Sequence, residues 1–153
     1  MKNKRLNYLL AALLLALLPG ISRALDAGVA FCVYATPEKP YLEINIEIAA
    51  STVTFRAIDS IRLQAGVETL ILVKQGDQVV NYEKYQLHSP AVGSPQNLLD
   101  VKRLYVQPGA YTLEINFTDI HDASNTGTYS EPLQVDLGAG AYLSELLLLR
   151  SYK

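Results

Sequence analysis

Three stretches of this chain alternate strictly between apolar and polar residues. In Tyr41 to Ile48, Leu42, Ile44, Ile46 and Ile48 share one phase while Glu43, Asn45 and Glu47 share the other. Successive side chains of a strand point to opposite faces, so this is the period of a half-buried strand. Tyr111, Leu113, Ile115 and Phe117 repeat it against Thr112, Glu114, Asn116 and Thr118, and Leu133, Val135 and Leu137 repeat it opposite Gln134 and Asp136. Val67 to Val73 differs, being apolar in both phases apart from Glu68 and Thr69. That pattern predicts a central strand with both faces covered.

Turn signals punctuate these runs. KQGDQ joins two of them through Gly76 and Asp77, and glycine first in a two-residue loop suits a type II′ hairpin turn. QPGAY places Pro108 and Gly109 at the centre of a type II turn, since proline fixes φ and glycine accepts positive φ. HSPAVGSPQN and HDASNTGT read as longer loops. Eight strands are predicted, at roughly 26 to 35, 41 to 49, 51 to 58, 61 to 74, 78 to 88, 99 to 107, 110 to 119 and 128 to 137, with a ninth at 141 to 151. NLLDVKRLYV has apolar spacing compatible with a short helix, but its tyrosine and valines favour strand.

Short turns between strands favour an antiparallel all-β fold over βαβ units. Alternation alone does not say which face is wet: in a sandwich the apolar face is core, in an outer-membrane barrel it meets lipid. A barrel would put Leu70 and Leu72 in a polar lumen and finds few aromatic girdle residues, so the sandwich is favoured. Tyr111, just after the Pro108–Gly109 turn, stands where an immunoglobulin-type tyrosine corner would be, with Leu113 in the place of the second cysteine of antibody-type domains. The expected fold is an immunoglobulin-like antiparallel β-sandwich without a disulfide, with Tyr111 either a corner tyrosine or a core aromatic.

The N-terminus changes the picture of composition. Lys2, Lys4 and Arg5 precede an apolar run from Leu9 to Leu18, and Ser22 and Ala24 are small residues fitting a cleavage site. This is the succession of a secretory signal peptide over 1–24, with the sandwich domain expected over 25–153. The apolar run is short of the ~18 to 20 residues that span a bilayer, so no transmembrane segment is expected after cleavage. The remaining chain holds nine Lys and Arg against fifteen Asp and Glu, a net charge of −6. Phosphate backbones repel such a domain, and no nucleic-acid partner is expected. Cys32 is the sole cysteine, which excludes an intramolecular disulfide and a Cys-based zinc site and makes it a small buried hydrophobe.

FCVYATPEKPYLEINIEI, TLILVKQGDQVVNYEKYQLHSP and LYVQPGAYTLEINFTD, following a signal peptide, together resemble the N-terminal β-rich region of the exported GWxTD-domain proteins of Bacteroidota. The likeness covers nearly all of the chain after residue 24. The chain contains no tryptophan, so the GWxTD motif itself is absent, and the family's proteins are typically longer. What the resemblance implies is location and architecture: an exported protein of the periplasm, the outer membrane or the exterior. It carries over no functional residues.

Candidate chemistry is thin. His88 and His121 have no nucleophile signature beside them. Glu43 and Glu47 lie four strand residues apart, about 13 Å, whereas glycosidase carboxylates need roughly 5 to 9.5 Å. The most ligand-like cluster is DIHDASN, where Asp119, His121, Asp122 and Asn125 bring oxygens and an imidazole into one loop. Hard cations take such ligands, but the spacing is not that of a calcium loop and these residues also favour turns. No catalytic residue, metal or cofactor is expected. The leading functional reading is a non-catalytic module for protein interaction or domain scaffolding at the cell envelope, with a protein partner or a downstream domain. The alternative is a glycan or small-molecule binding domain, to which Tyr82, Tyr85 and the other tyrosines would lend recognition surface. The C-terminal AYLSELLLLR is too apolar to stay a solvated edge, so it is expected to be core, to dock on a further domain, or to self-associate.

Export with cleavage after Ala24 gives a mature protein whose N-terminal sequence begins at Leu25. Edman or mass-spectrometric sequencing of the exported form checks this, and Met1 retained in a membrane fraction contradicts it.

Overall fold

A computed structural model describes residues 24–34 and 39–136 of the chain. They form an all-β structure: β1 (Ala27–Tyr34), β2 (Tyr41–Ile48), β3 (Arg56–Ala57), β4 (Leu63–Gln64), β5 (Gly66–Gln75), β6 (Gln78–His88), β7 (Leu98–Tyr105), β8 (Gly109–Asp119) and β9 (Asp122–Val135). Residues 1–23 of the expected signal peptide over 1–24, and the ninth predicted segment at 141–151, lie outside the described residues.

The strands build a three-stranded sheet in the order β1-β2-β7 and a four-stranded sheet in the order β6-β5-β8-β9, with a small β3-β4 hairpin. Every pairing is antiparallel. The apolar phases of both sheets meet in one core. Leu42, Ile44, Ile46 and Ile48 of β2 face Val67, Ile71 and Val73 of β5 and Leu113, Ile115 and Phe117 of β8 in that core, and all are buried. Two separate sheets around a shared apolar interior make a β-sandwich. Its sides are closed where β1 runs beside β9 and β7 beside β6. There the Asn81 amide donates to the Tyr105 carbonyl at 3.0 Å, and the Lys102 ammonium meets Glu83 at 3.3 Å. β5 is central in its sheet, as its two-sided apolar pattern requires. Among the described residues no helix is long and apolar enough to cross a membrane.

Several local expectations are corrected. The segment 51 to 58 is not one strand but a 3₁₀ turn at Ala50–Thr52 followed by the two-residue β3. Its backbone is spent on side chains of the β8–β9 turn: Thr54 N–H donates to Asp119 and the Thr52 carbonyl accepts from Asn125. The segment 61 to 74 breaks at Ala65, whose N–H donates to the Ser89 hydroxyl at 3.0 Å instead of to a ladder. NLLDVKRLYV supplies β7. HDASNTGT is strand from its second residue on, because β9 begins at Asp122 opposite Asp119 and absorbs its extra residues as an irregularity before Thr126 pairs with Thr118.

The two turns fare differently. Gly76 has φ +59 and Asp77 has negative φ, the signs of a type II′ hairpin between β5 and β6. Gly109 has φ +157 and already pairs with Val135, so Pro108–Gly109 is not the centre of a type II turn, whose glycine would sit near +80°. The glycine answers a steric demand instead: a Cβ there would stand 3.0 Å from the Tyr111 hydroxyl and 3.2 Å from its ring. Tyr111 itself is half-buried and packs against the core; among the described residues its hydroxyl makes no hydrogen bond back to the preceding turn. Cys32 is buried, at 3% exposure.

Among the described residues Phe117 is the largest fully buried side chain. Phe117→Ala removes it from the centre of β8 and is expected to cost about 3–5 kcal/mol of unfolding free energy. Thr128→Ala, exposed on β9, is expected to change it by less than about 0.5 kcal/mol. Urea unfolding of both variants checks the contrast.

Candidate functional site

The four oxygen- and nitrogen-rich residues singled out in the sequence are brought to one end of the four-stranded sheet, where they hold loops together. Asp119 is buried at the end of β8, and both its oxygens are engaged. Oδ1 accepts the His121 N–H at 2.8 Å, and Oδ2 accepts the Thr54 N–H at 2.7 Å and the Asn125 amide at 3.3 Å. Asn125 in turn donates to the Thr52 carbonyl at 2.7 Å. Asp122 is exposed and turns away to accept from Ser124 N–H and hydroxyl. The His121 carbonyl accepts from Arg56 at 3.2 Å. A cation here would have to displace N–H donors from each Asp119 oxygen, so the geometry is that of a clasp tying the Ala50–Ala57 connection to the β8–β9 turn.

A second polar group lies between the sheets at their β6–β7 side. Thr69 and Tyr85 are paired across β5 and β6, and Asp100 of β7 lies close to the Tyr85 hydroxyl. Burial, with Asp100 adding to it, pushes the Tyr85 phenol well above its ordinary value. The Lys102 ammonium sits 3.8 Å over the Tyr85 ring. Thr69 Oγ1, Tyr85 Oη and Asp100 Oδ2 are buried without a hydrogen bond of good geometry. A phenol held protonated in this way is unsuited to act as a base near neutral pH.

The most distinctive surface is the outer face of the β1-β2-β7 sheet. Ala27, Val29 and Phe31 of β1 pack on the core, so Gly28, Ala30, Cys32 and Tyr34 take the opposite phase. On β2 the outward residues are Tyr41, Glu43, Asn45 and Glu47, and on β7 they are Leu99, Val101, Arg103 and Tyr105. Register then does what spacing along the chain does not reveal. Tyr34 pairs with Tyr41, and Tyr41 with Tyr105, so three tyrosines form one row across the sheet.

In that row the Tyr34 and Tyr41 rings stack at 5.0 Å with planes 11° apart. The Arg103 guanidinium lies 5.5 Å from the Tyr41 ring and donates to Glu43 at 2.8 Å. Lys39 lies 5.8 Å from the Tyr105 ring. Below the row, Gly28 and Ala30 leave β1 without large side chains, and a groove of about 610 Å³ opens, floored by Gly28, Ala30 and Asn45 and walled by Leu99 and Val101. Leu99 is 70% exposed, Val101 53% and Tyr105 67%, so the face carries large apolar area in contact with water. Glu43 and Glu47 are held by Arg103 and by Asn97 at 2.7 Å, which fits paired surface carboxylates.

This row was missed in the sequence because each tyrosine sits at a strand end and belongs to no motif. The signal that finds it is phase: Tyr34 and Tyr41 flank one hairpin connection in the outward phase, and Tyr105 closes a third strand in the same phase.

Burial raises the Asp119 carboxyl, but the Thr54, His121 and Asn125 donors outweigh it and leave the pKa below the ordinary 3.8. A lowered folded pKa means that the clasp contributes fully above about pH 4 and loses its contribution as pH falls through the folded value. Asp119→Asn, which turns an N–H₂ group toward N–H donors, is expected to cost on the order of 3 kcal/mol at pH 7. It should also flatten the acid limb of a stability-against-pH curve measured by urea unfolding. Comparison of the chain with protein-family models, with curated proteins and with solved structures finds no match.

Proposed function

We propose that this chain is a non-catalytic recognition module of an exported protein: an immunoglobulin-like sandwich that binds a protein partner through the outer face of β1-β2-β7. The strand order supports the fold assignment. The first, second and seventh strands form one sheet while the fifth, sixth, eighth and ninth form the other, so the chain changes sheets after β2, after β6 and after β7. Repeated exchange between two antiparallel sheets is the habit of immunoglobulin-like domains. The signal-peptide pattern and the resemblance to the N-terminal region of GWxTD-domain proteins support export and an accessory place in the cell envelope.

The tyrosine row carries the functional reading. Tyrosine and arginine are the residues on which protein interfaces most often concentrate their binding energy, and here Tyr34, Tyr41, Tyr105 and Arg103 stand together beside an apolar groove. The stacking also decides between partners. A sugar ring lies on the flat face of an aromatic side chain, and Tyr34 and Tyr41 use faces on each other while Arg103 approaches Tyr41. One face each of Tyr34 and Tyr41 is thereby engaged, which weighs toward a protein surface and against a broad platform for a pyranose. Burial and then Glu43 raise the Tyr34 phenol, so it stays a donor at neutral pH.

A photo-crosslinking residue at Tyr105 in exporting cells is expected to give one discrete heavier adduct. The same residue at Thr128 or Lys84, on the other sheet, is expected to give none. Arg103→Ala, exposed and outside the core, should weaken that association about 5- to 30-fold at unchanged melting temperature. Equal adducts from both sheets, or none from Tyr105, contradict the proposal.

A further inference from the structure

We infer that the partner received by this face is a second copy of the chain, the two packing outer face to outer face about a two-fold axis that runs along β2. The inference rests on the reading of the face as a recognition surface and names what it recognises.

Register sorts the outward residues into four rows across the three strands: Gly28 with Glu47 and Leu99, Ala30 with Asn45 and Val101, Cys32 with Glu43 and Arg103, and Tyr34 with Tyr41 and Tyr105. The first two rows are lopsided. On β7 they present a ridge of Leu99 and Val101, 70% and 53% exposed, while on β1 they present an exposed shelf of Gly28 and Ala30 with nothing beyond a Cβ. Between them lies the groove.

A face that meets its own copy must be complementary to itself, and that condition selects the axis. Packed sheets keep their strands roughly aligned, so the two-fold runs near the strand direction or across it. Across the strands, β7 lies on β7 and β1 on β1, which stacks ridge on ridge and leaves the two shelves enclosing a void. Along β2, the copy is reversed from side to side and every row meets itself. Leu99 of each copy then comes over Gly28 of the other, and Val101 over Ala30, so both ridges fill both shelves. Filling of this kind lets sheets approach to about 10 Å with a packed interior between them.

The same axis alternates charge. Arg103 donates to Glu43 of its own chain at 2.8 Å, and the second copy's Arg103 arrives over Cys32, on the other side of that carboxylate. Each Glu43 thus stands between two guanidinium groups. The two Glu47 carboxylates also meet near the axis, but Asn97, at 2.7 Å, is a neutral donor and offsets none of their repulsion. The tyrosine rows come together at the opposite end, where their bulk holds the sheets further apart than the Gly28 end does. Four rows on three strands give a contact that buries on the order of 1,000 Å² in all, at the low end of specific interfaces. The excess of acidic over basic residues opposes it further, so the association is weak and reversible.

The exported chain is brought to sedimentation equilibrium over about 5 to 500 µM, a range suited to a small interface. In parallel, a photo-crosslinking residue at Val101 is irradiated in a mixture of isotope-labelled and unlabelled chains and mapped by peptide mass spectrometry. A monomer–dimer equilibrium is expected, with mixed-isotope crosslinks from Val101 to Ala30 or Gly28. Ala30→Arg fills the shelf on an exposed position and is expected to weaken the dimer at least about tenfold at unchanged melting temperature. Glu47→Gln removes the uncompensated repulsion and is expected to tighten it about threefold. A chain monomeric throughout, a dimer indifferent to Ala30→Arg, or crosslinks from Val101 to Val101 or Arg103 of the other copy overturn the inference. A monomeric chain whose Tyr105 adduct in cells has a mass other than two chains overturns the second copy alone and leaves the recognition reading standing. Absence of any Tyr105 adduct removes that reading itself.

Discussion

The structure depends on one constraint, that every sheet here has a single apolar face and must bury it against another. Leu42, Ile44, Ile46 and Ile48 on one sheet and Leu113, Ile115 and Phe117 on the other are worth little to a lone sheet in water, where they would stand exposed. Facing each other they remove a continuous apolar area from solvent, and this is the dominant favourable term in folding a chain with no disulfide to restrain its unfolded state. Register follows from the same cause, since a one-residue slip of β2 would carry all four of its apolar residues to the outer face. The tyrosine row is thus a by-product of core burial. Tyr34, Tyr41 and Tyr105 line up because their inward neighbours are locked.

Polar side chains handle what strands leave unfinished. The connection from β2 to β4 cannot pair along its length, and its N–H and C=O groups would be costly to bury unmatched. Asp119 and Asn125 meet that need from the β8–β9 hairpin, so a carboxylate withdrawn from solvent is useful without any bound ion. Close packing at the same end adds a second constraint. Leu25 N–H donates to the Thr126 carbonyl at 3.2 Å, and a Cβ on Gly127 would come within 2.6 Å of the Leu25 carbonyl oxygen. The entry to β1 is pinned to β9 there, which keeps the two edges of the sandwich together.

How far this was legible in the sequence follows from the range of each interaction. Alternation is a local property, and it located β2, β8 and the central β5 together with their buried residues. Gly76 and Asp77 were legible for the same reason, since a two-residue turn is decided by its own φ angles. Thr52 and Thr54 were misread as strand because their backbone partners, Asp119 and Asn125, lie more than sixty residues away. Asp119, His121, Asp122 and Asn125 were legible as a cluster but not as a clasp, for composition does not say whether a carboxylate faces a cation or an N–H. Gly109 looked like a turn glycine, and its reason turned out to be the Tyr111 ring two residues on. The tyrosine face was illegible because it exists only across three strands in register.

The two outer faces of the sandwich make a final contrast that bears on function. On the four-stranded sheet the outward apolar residues Leu70 and Leu72 of β5 are half-buried between strands that carry Lys84, Glu114 and Asn116, and those polar groups are tied by pairs such as Lys74–Glu114, Lys84–Glu68 and Thr128–Asn116. Lys74 lowers the Glu114 carboxyl by a direct hydrogen bond, so that mesh stays charged at neutral pH. On the three-stranded sheet the ion pair Arg103–Glu43 sits among tyrosines, and Leu99 and Val101 have no such cover. Both faces are built on the same alternation, so folding alone does not require the difference. Exposed apolar residues also stand on the four-stranded sheet, where Val79, Val80 and Tyr82 lie on its edge strand β6, whereas Leu99, Val101 and Tyr105 of β7 border a groove floored by Gly28, Ala30 and Asn45.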